Sequence, residues 1–77
     1  METEIDLHGL RVEEAEHEVM RFVDQLYYQG ETEGRIVHGL GAIAERLPGW
    51  LKSYPYVRNF ERSPLNAGVT IVRLEIR

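Results

Sequence analysis

EIDLHGLRVEEAEHEVMRFVDQLYYQ, Glu4 to Gln29, changes its apolar period once, at Gly9. Before the glycine, Ile5 and Leu7 alternate with Glu4, Asp6 and His8, a period of two that predicts a short strand over Glu4–His8 with Asp6 and His8 on one face. After it, Val12, Ala15, Val19, Phe22, Val23 and Leu26 recur at the spacing of one helical stripe, which predicts a helix from Arg11 to Gln29. Glu13 and Glu14 stand in its first turn, where the helix dipole favours acids. A strand, an amphipathic helix and a further strand make the unit that joins parallel strands by a right-handed crossover.

Outward from this unit, Gly30 and Gly34 bracket a polar connection, and Arg35-Ile36-Val37-His38 supplies the second strand, running into a Gly39-Leu40-Gly41 turn. Ile43, Leu47, Trp50 and Leu51 share one face of a second helix over Ala42–Tyr54, with Pro48 and Gly49 inside it. An interior proline removes a hydrogen bond and costs about 3 kcal/mol, so a kink or a break into two short segments is expected there. Val57–Arg62 and Val69–Ile76 read as strands about a Ser63–Gly68 turn and pair antiparallel. The order strand, helix, strand, helix, strand, strand predicts an α/β two-layer sandwich, a four-stranded mixed sheet with both helices on one face. With Val72 and Leu74 facing the helices, Arg73 and Arg77 fall on the open face. The side taken by His38 depends on which of Ile36 and Val37 is buried, and the sequence leaves that open.

The 77 residues allow a single domain over 1–77 and a small core, so a site must lie at an edge or in a shallow groove. The absence of cysteine removes disulfides, thiolate zinc sites and a cysteine nucleophile. No run of about 18 apolar residues predicts a membrane span, and the acidic start lacks the features of a signal peptide, so the expected location is cytoplasmic, with no membrane partner. The net charge of -4 is unevenly spread: residues 1–34 hold ten acids and two bases, residues 35–77 three acids and seven bases. Local potential decides phosphate binding, and the second half is basic.

Two segments ending in glycine turns, Asp6-Leu7-His8-Gly9 and His38-Gly39-Leu40-Gly41, fall at the carboxyl ends of parallel strands, where α/β sheets bind ligands. Asp6 and His8 can orient an imidazole, hold a divalent ion together, or act as an acid–base pair on a phosphodiester. They can equally be ordinary polar residues of a solvated strand edge. Gly39 and Gly41 permit close backbone approach, with the following helix start aimed at a phosphate. Asp6, His8 and His38 are expected to converge on one edge. There is no His-Glu-x-x-His helix for zinc and no nucleophile elbow around Ser53 or Ser63. The aromatic residues Tyr27, Tyr28, Tyr54, Tyr56, Phe60 and Trp50 can stack bases, but most are expected to cover the small core.

Ile5-Asp6-Leu7-His8-Gly9, His38-Gly39-Leu40-Gly41 and Gly68-Val69-Thr70-Ile71-Val72-Arg73-Leu74 together resemble the three motif regions of the Smr domain, the small MutS-related module. The resemblance covers the chain from Ile5 onward. It implies a sandwich similar to the C-terminal domain of translation initiation factor three, and an endonuclease that nicks DNA or cleaves RNA. By position it makes Asp6 and His8 the candidate catalytic residues and places His38, Gly39 and Gly41 in a glycine loop near the nucleic acid. Leu40 stands where many members carry a basic residue, and the third glycine-rich motif is reduced to Asn66-Ala67-Gly68.

The expectation is therefore cleavage of a DNA or RNA phosphodiester, with Asp6 orienting His8, His8 or His38 moving protons, and Arg11, Arg73 and Arg77 neutralising phosphate. Asp6 can take a divalent cation, Mg2+ or Mn2+. The rival readings are a non-catalytic nucleic-acid-binding module and a protein-interaction domain using the exposed sheet face. The chain is read either as an independent protein or as part of a larger MutS-like chain.

Overall fold

The computed structural model describes residues 3–76. Its elements are β1 (Glu4–Asp6), α1 (Val12–Tyr28), β2 (Glu33–Val37), α2 (Ala42–Lys52), β3 (Val57–Arg62) and β4 (Val69–Leu74), in the expected order. The sheet order is β1-β2-β4-β3, with β1 parallel to β2 and the other pairs antiparallel. Glu33 of β2 pairs with Arg73 of β4, so β2 begins where β4 ends. The first strand is shorter than expected because a turn takes over at Leu7, although the Leu7 amide still donates to Val37 O at 2.8 Å.

Leu7, Ile36, Val72 and Leu74 from the sheet pack against Val19, Val23 and Leu26 of α1 and Leu47 and Leu51 of α2. Tyr27, Tyr54, Tyr56 and Phe60 cover this cluster, and the rings of Tyr27 and Tyr56 stack with centroids 4.2 Å apart. Tyr28 departs from the expected role, standing 83% exposed. The backbone amide of Arg11 donates to Glu14 Oε1 at 2.9 Å, which satisfies one of the orphan donors at the start of α1.

Two expectations need correction. Pro48 does not break α2, which runs as one helix over Ala42–Lys52. Leu47, Trp50 and Leu51 bury on its inner face, and at roughly 1.5–3 kcal/mol per large apolar side chain this outweighs the lost hydrogen bond. Gly34 does not sit in the polar connection but inside β2, buried beneath α1. A Cβ there would lie 2.5 Å from Leu26 Cδ1 and 3.0 Å from the Phe22 ring. Both neighbours are themselves buried, so Gly34→Ala is expected to cost about 1–3 kcal/mol by overpacking, read as a lower urea midpoint with an unchanged m-value.

Candidate functional site

Because β1 and β2 are parallel and β4 antiparallel to β2, the turns after β1 and β2 and the β3–β4 hairpin lie at one end of the sheet. In the first turn, Leu10 N donates to Leu7 O at 3.1 Å, and Gly9 takes a φ of 85°. The Asp6 carboxylate accepts the His8 backbone N–H at 2.9 Å, which leaves the His8 ring exposed on a turn fixed by its neighbour. In the second turn Gly39 has a φ of 74°, a conformation that a side chain would strain. The hairpin carbonyl of Gly68 accepts from both His38 N (2.9 Å) and Gly39 N (3.0 Å). A Cβ on Gly68 would come within 3.3 Å of Gly39 Cα, so this glycine allows the two loops to abut.

The structure brings Asp6 and His8 together on one turn and turns His38 away from them. Ile36, not Val37, is fully buried, so His38 follows its parity to the helix-facing side and is itself buried. Its Nδ1 lies 2.6 Å from Gly39 O and its Nε2 2.7 Å from Thr70 Oγ1. A carbonyl can only accept, so Nδ1 carries the proton and neutral Nε2 accepts from the Thr70 hydroxyl. Burial lowers the imidazole pKa, the bond to Gly39 O opposes this, and the charge of Arg62 lowers it further. Thr70 lies in the third motif region but was not singled out by the sequence; a polar residue at a core-facing position of β4 was the signal available.

With the folded pKa below the ordinary 6.5, the unfolded chain takes up the His38 proton first as the pH falls. The stability due to this group is intact above about pH 6.5, declines as the pH falls through that value, and is fully lost below the folded pKa. Melting temperatures measured from about pH 7.5 to 5.5 should therefore fall more steeply for the wild type than for His38→Gln, which has no charge to gain. Equal slopes would mean that the ring is not held neutral.

Arg73 lies on the open face as expected, but it is not a free cation. Its guanidinium sits 3.4 Å from Glu33 Oε1 and 3.6 Å from Glu61 Oε1 and donates to Asn59 Oδ1 at 3.2 Å. Arg35 pairs with Glu4 across the same face at 3.1 Å. Reversing Arg73 to Glu would set three carboxylates together on this face, so the exposed position does not make that change neutral. Arg77 lies outside the described residues. Among the described residues no carboxylate pairs with the exposed Arg11, Arg46 or Arg62, and Arg62 Nη1 donates to Ala67 O of the hairpin at 3.0 Å. Arg62 ends β3 and Arg46 stands near the start of α2, positions that no local pattern marks because strand pairing distant in sequence brings them to this end.

An acidic groove lined by Asp6, Glu13, Glu14 and Glu18 flanks the first turn, with His17 and Leu10. Among the described residues no three His, Asp or Glu side chains are gathered to hold a metal ion. The Asp6 carboxylate offers one oxygen donor of the kind Mg2+ or Mn2+ takes, and the rest of the set would have to come from water and substrate. Among the described residues no helix is long and apolar enough to cross a membrane.

The family model described as Smr domain matches residues 5–75. The chain is 42% identical over 79 residues to endonuclease MutS2 of Anaeromyxobacter sp. (strain Fw109-5), covering 96% of this chain and 10% of that protein. It is 34% identical over 70 residues to endonuclease MutS2 of Lactococcus lactis subsp. cremoris (strain MG1363), covering 88% of this chain and 9% of that protein. It thus spans about a tenth of the length of these curated relatives. The crystal structure of the Smr domain of Thermus thermophilus MutS2 superposes with a TM-score of 0.90 at 31% identity, covering 95% of this chain and 98% of that one. YdaL, a stand-alone small MutS-related protein from Escherichia coli, shares the fold with a TM-score of 0.89 at 21% identity, over 95% of this chain and 64% of that one. By sequence match along nearly its whole length and by superposition, the chain belongs to the Smr domain family.

Proposed function

We propose that the sheet end formed by the three turns docks a nucleic-acid phosphodiester and cleaves it. The observation that carries this reading is the exposed His8 held on a turn by Asp6, at the same end of the sheet as Arg11 and Arg62, which no carboxylate neutralises among the described residues. The His8 imidazole takes the proton of the attacking water or ribose hydroxyl as its oxygen bonds to phosphorus. The phosphorus–oxygen bond to the leaving group then breaks, and the departing oxygen takes a proton from solvent. Asp6 positions His8, Arg11 balances the charge of the phosphate at His8, Arg62 on the opposite edge of the sheet takes a more distant phosphate of the same strand, and the amides at the start of α2 face the backbone between them past Gly39 and Gly41. In this reading His38 positions the second turn. The names of the MutS2 relatives support an endonuclease.

The test incubates the purified chain with supercoiled and branched DNA and with structured RNA, with and without Mg2+ or Mn2+, beside Asp6→Ala. Cleavage that this variant loses supports the reading. Binding without cleavage under every condition assigns the chain to the non-catalytic alternative, which the enclosed His38 ring favours.

The glycine turn makes a separate expectation. A Cβ at Gly41 meets nothing within 4 Å, so Gly41→Val should fold and fill only the space a phosphate would enter. It should weaken binding of paired duplex more than Leu40→Ala does, measured by fluorescence anisotropy. Equal affinities for both variants and the wild type would remove the backbone contact from the reading.

A further inference from the structure

We propose that Leu40 and Leu65 form an apolar wedge that enters an unstacked base step of the bound nucleic acid, making them the residues that select a distorted duplex over a fully paired one. The inference rests on the nucleic-acid reading above. Leu40 is 73% exposed and Leu65 95% exposed, each near the tip of a turn at the site end of the sheet. A single exposed leucine needs no explanation, but these two project from adjoining loops that meet at Gly39 and Gly68.

Both side chains stand on braced backbone. The second turn is held by the His38 ring and by the two backbone N–H groups, of His38 and Gly39, that donate to Gly68 O. In the hairpin, Leu65 N donates to Ser63 Oγ at 3.2 Å, Gly68 N to Asn66 Oδ1 at 2.9 Å and Arg62 Nη1 to Ala67 O at 3.0 Å. Little conformational freedom is then lost when the leucines meet a partner.

The setting favours bases over a protein surface. Two leucines fall far short of the roughly 800 Å² per partner that a stable protein interface buries. Arg62 ends the strand that runs into the hairpin carrying Leu65 and donates to Ala67 O within it, so an exposed cation adjoins that tip. Apolar side chains inserted between base steps, with arginines on the adjoining backbone, are a general means of kinking a duplex. The unstacking cost is least where a nucleotide is already unpaired, and this is what gives the wedge its selectivity.

The test uses two duplexes, one fully paired and one with a single-nucleotide bulge, each carrying 2-aminopurine at the central step, whose emission rises on unstacking. The wild type should bind the bulged duplex about tenfold or more tightly than the paired one and raise its emission. Leu40→Ser combined with Leu65→Ser should bring the preference to within about twofold of unity and remove the rise in emission. Leu40→Met with Leu65→Met should restore both. A serine pair that keeps the preference and the emission overturns the inference, as does a wild type that binds both duplexes equally. Absence of binding to either duplex removes the nucleic-acid reading itself, which separates the two failures. A serine pair that turns a dimer into a monomer in sedimentation while keeping the preference would assign the leucines to a contact between copies, and also overturns the wedge.

Discussion

His8→Ala is expected to lower phosphodiester cleavage by about 100- to 10,000-fold, the range a positioned acid–base group supplies, while leaving the fold in place. The ring is exposed, and the turn is held by the backbone amide of residue 8, which any residue but proline provides. Exposed substitutions of this kind cost within about 0.5 kcal/mol, so the thermal midpoint should move little. Asp6 separates positioning from chemistry. Asp6→Asn keeps an oxygen that can accept the His8 amide, whereas Asp6→Ala removes it, so the amide variant should retain more of the folded stability. Loss of cleavage in His8→Ala together with a collapse in the thermal midpoint would move this residue from the chemistry to the scaffold.

One residue earlier the outcome should reverse. Leu7 is wholly buried among Ile36, Val72 and the helix side chains, and Leu7→Ala is expected to cost about 2–5 kcal/mol through lost burial and the cavity left behind. A chain of this size has roughly 4–12 kcal/mol of stability in all, so the loss is a large fraction of the whole. Urea unfolding should show a much lower midpoint, and cleavage by the fraction still folded should persist. A midpoint within the error of the wild type would mean that the turn yields and refills the cavity, in which case the turn is not the rigid base that the His8 role requires.

The fold was legible where one face of an element is buried and the other is not. The alternation at Ile5 and Leu7 and the stripe from Val12 to Leu26 are local records of burial, and both appear as expected. The gathering of the two glycine turns at one end of the sheet was legible too, because glycine turns after parallel strands are local signals. What the sequence left out depends on register. The side of His38 follows from Ile36 pairing with Ile5 and Thr70, and the neutralisation of Arg73 follows from Glu33 and Glu61 lying across from or beside it on separate strands. Neither partner is near in sequence. The unbroken α2 was misjudged for a related reason: the cost of Pro48 is local, whereas the burial that offsets it comes from the sheet and α1.

The strand directions also govern how the unit can be joined to other protein. β1 starts and β4 stops at the end of the sheet opposite the three turns, since Glu33, at the start of β2, faces Arg73, near the close of β4. Thr3 and Ile76, the first and last described residues, therefore lie on that far side. A carrier, a fluorescent tag or a neighbouring domain joined through these ends starts on the side away from His8, Leu40 and Leu65, and the unit can be transplanted as a cassette whose proposed site faces away from its host.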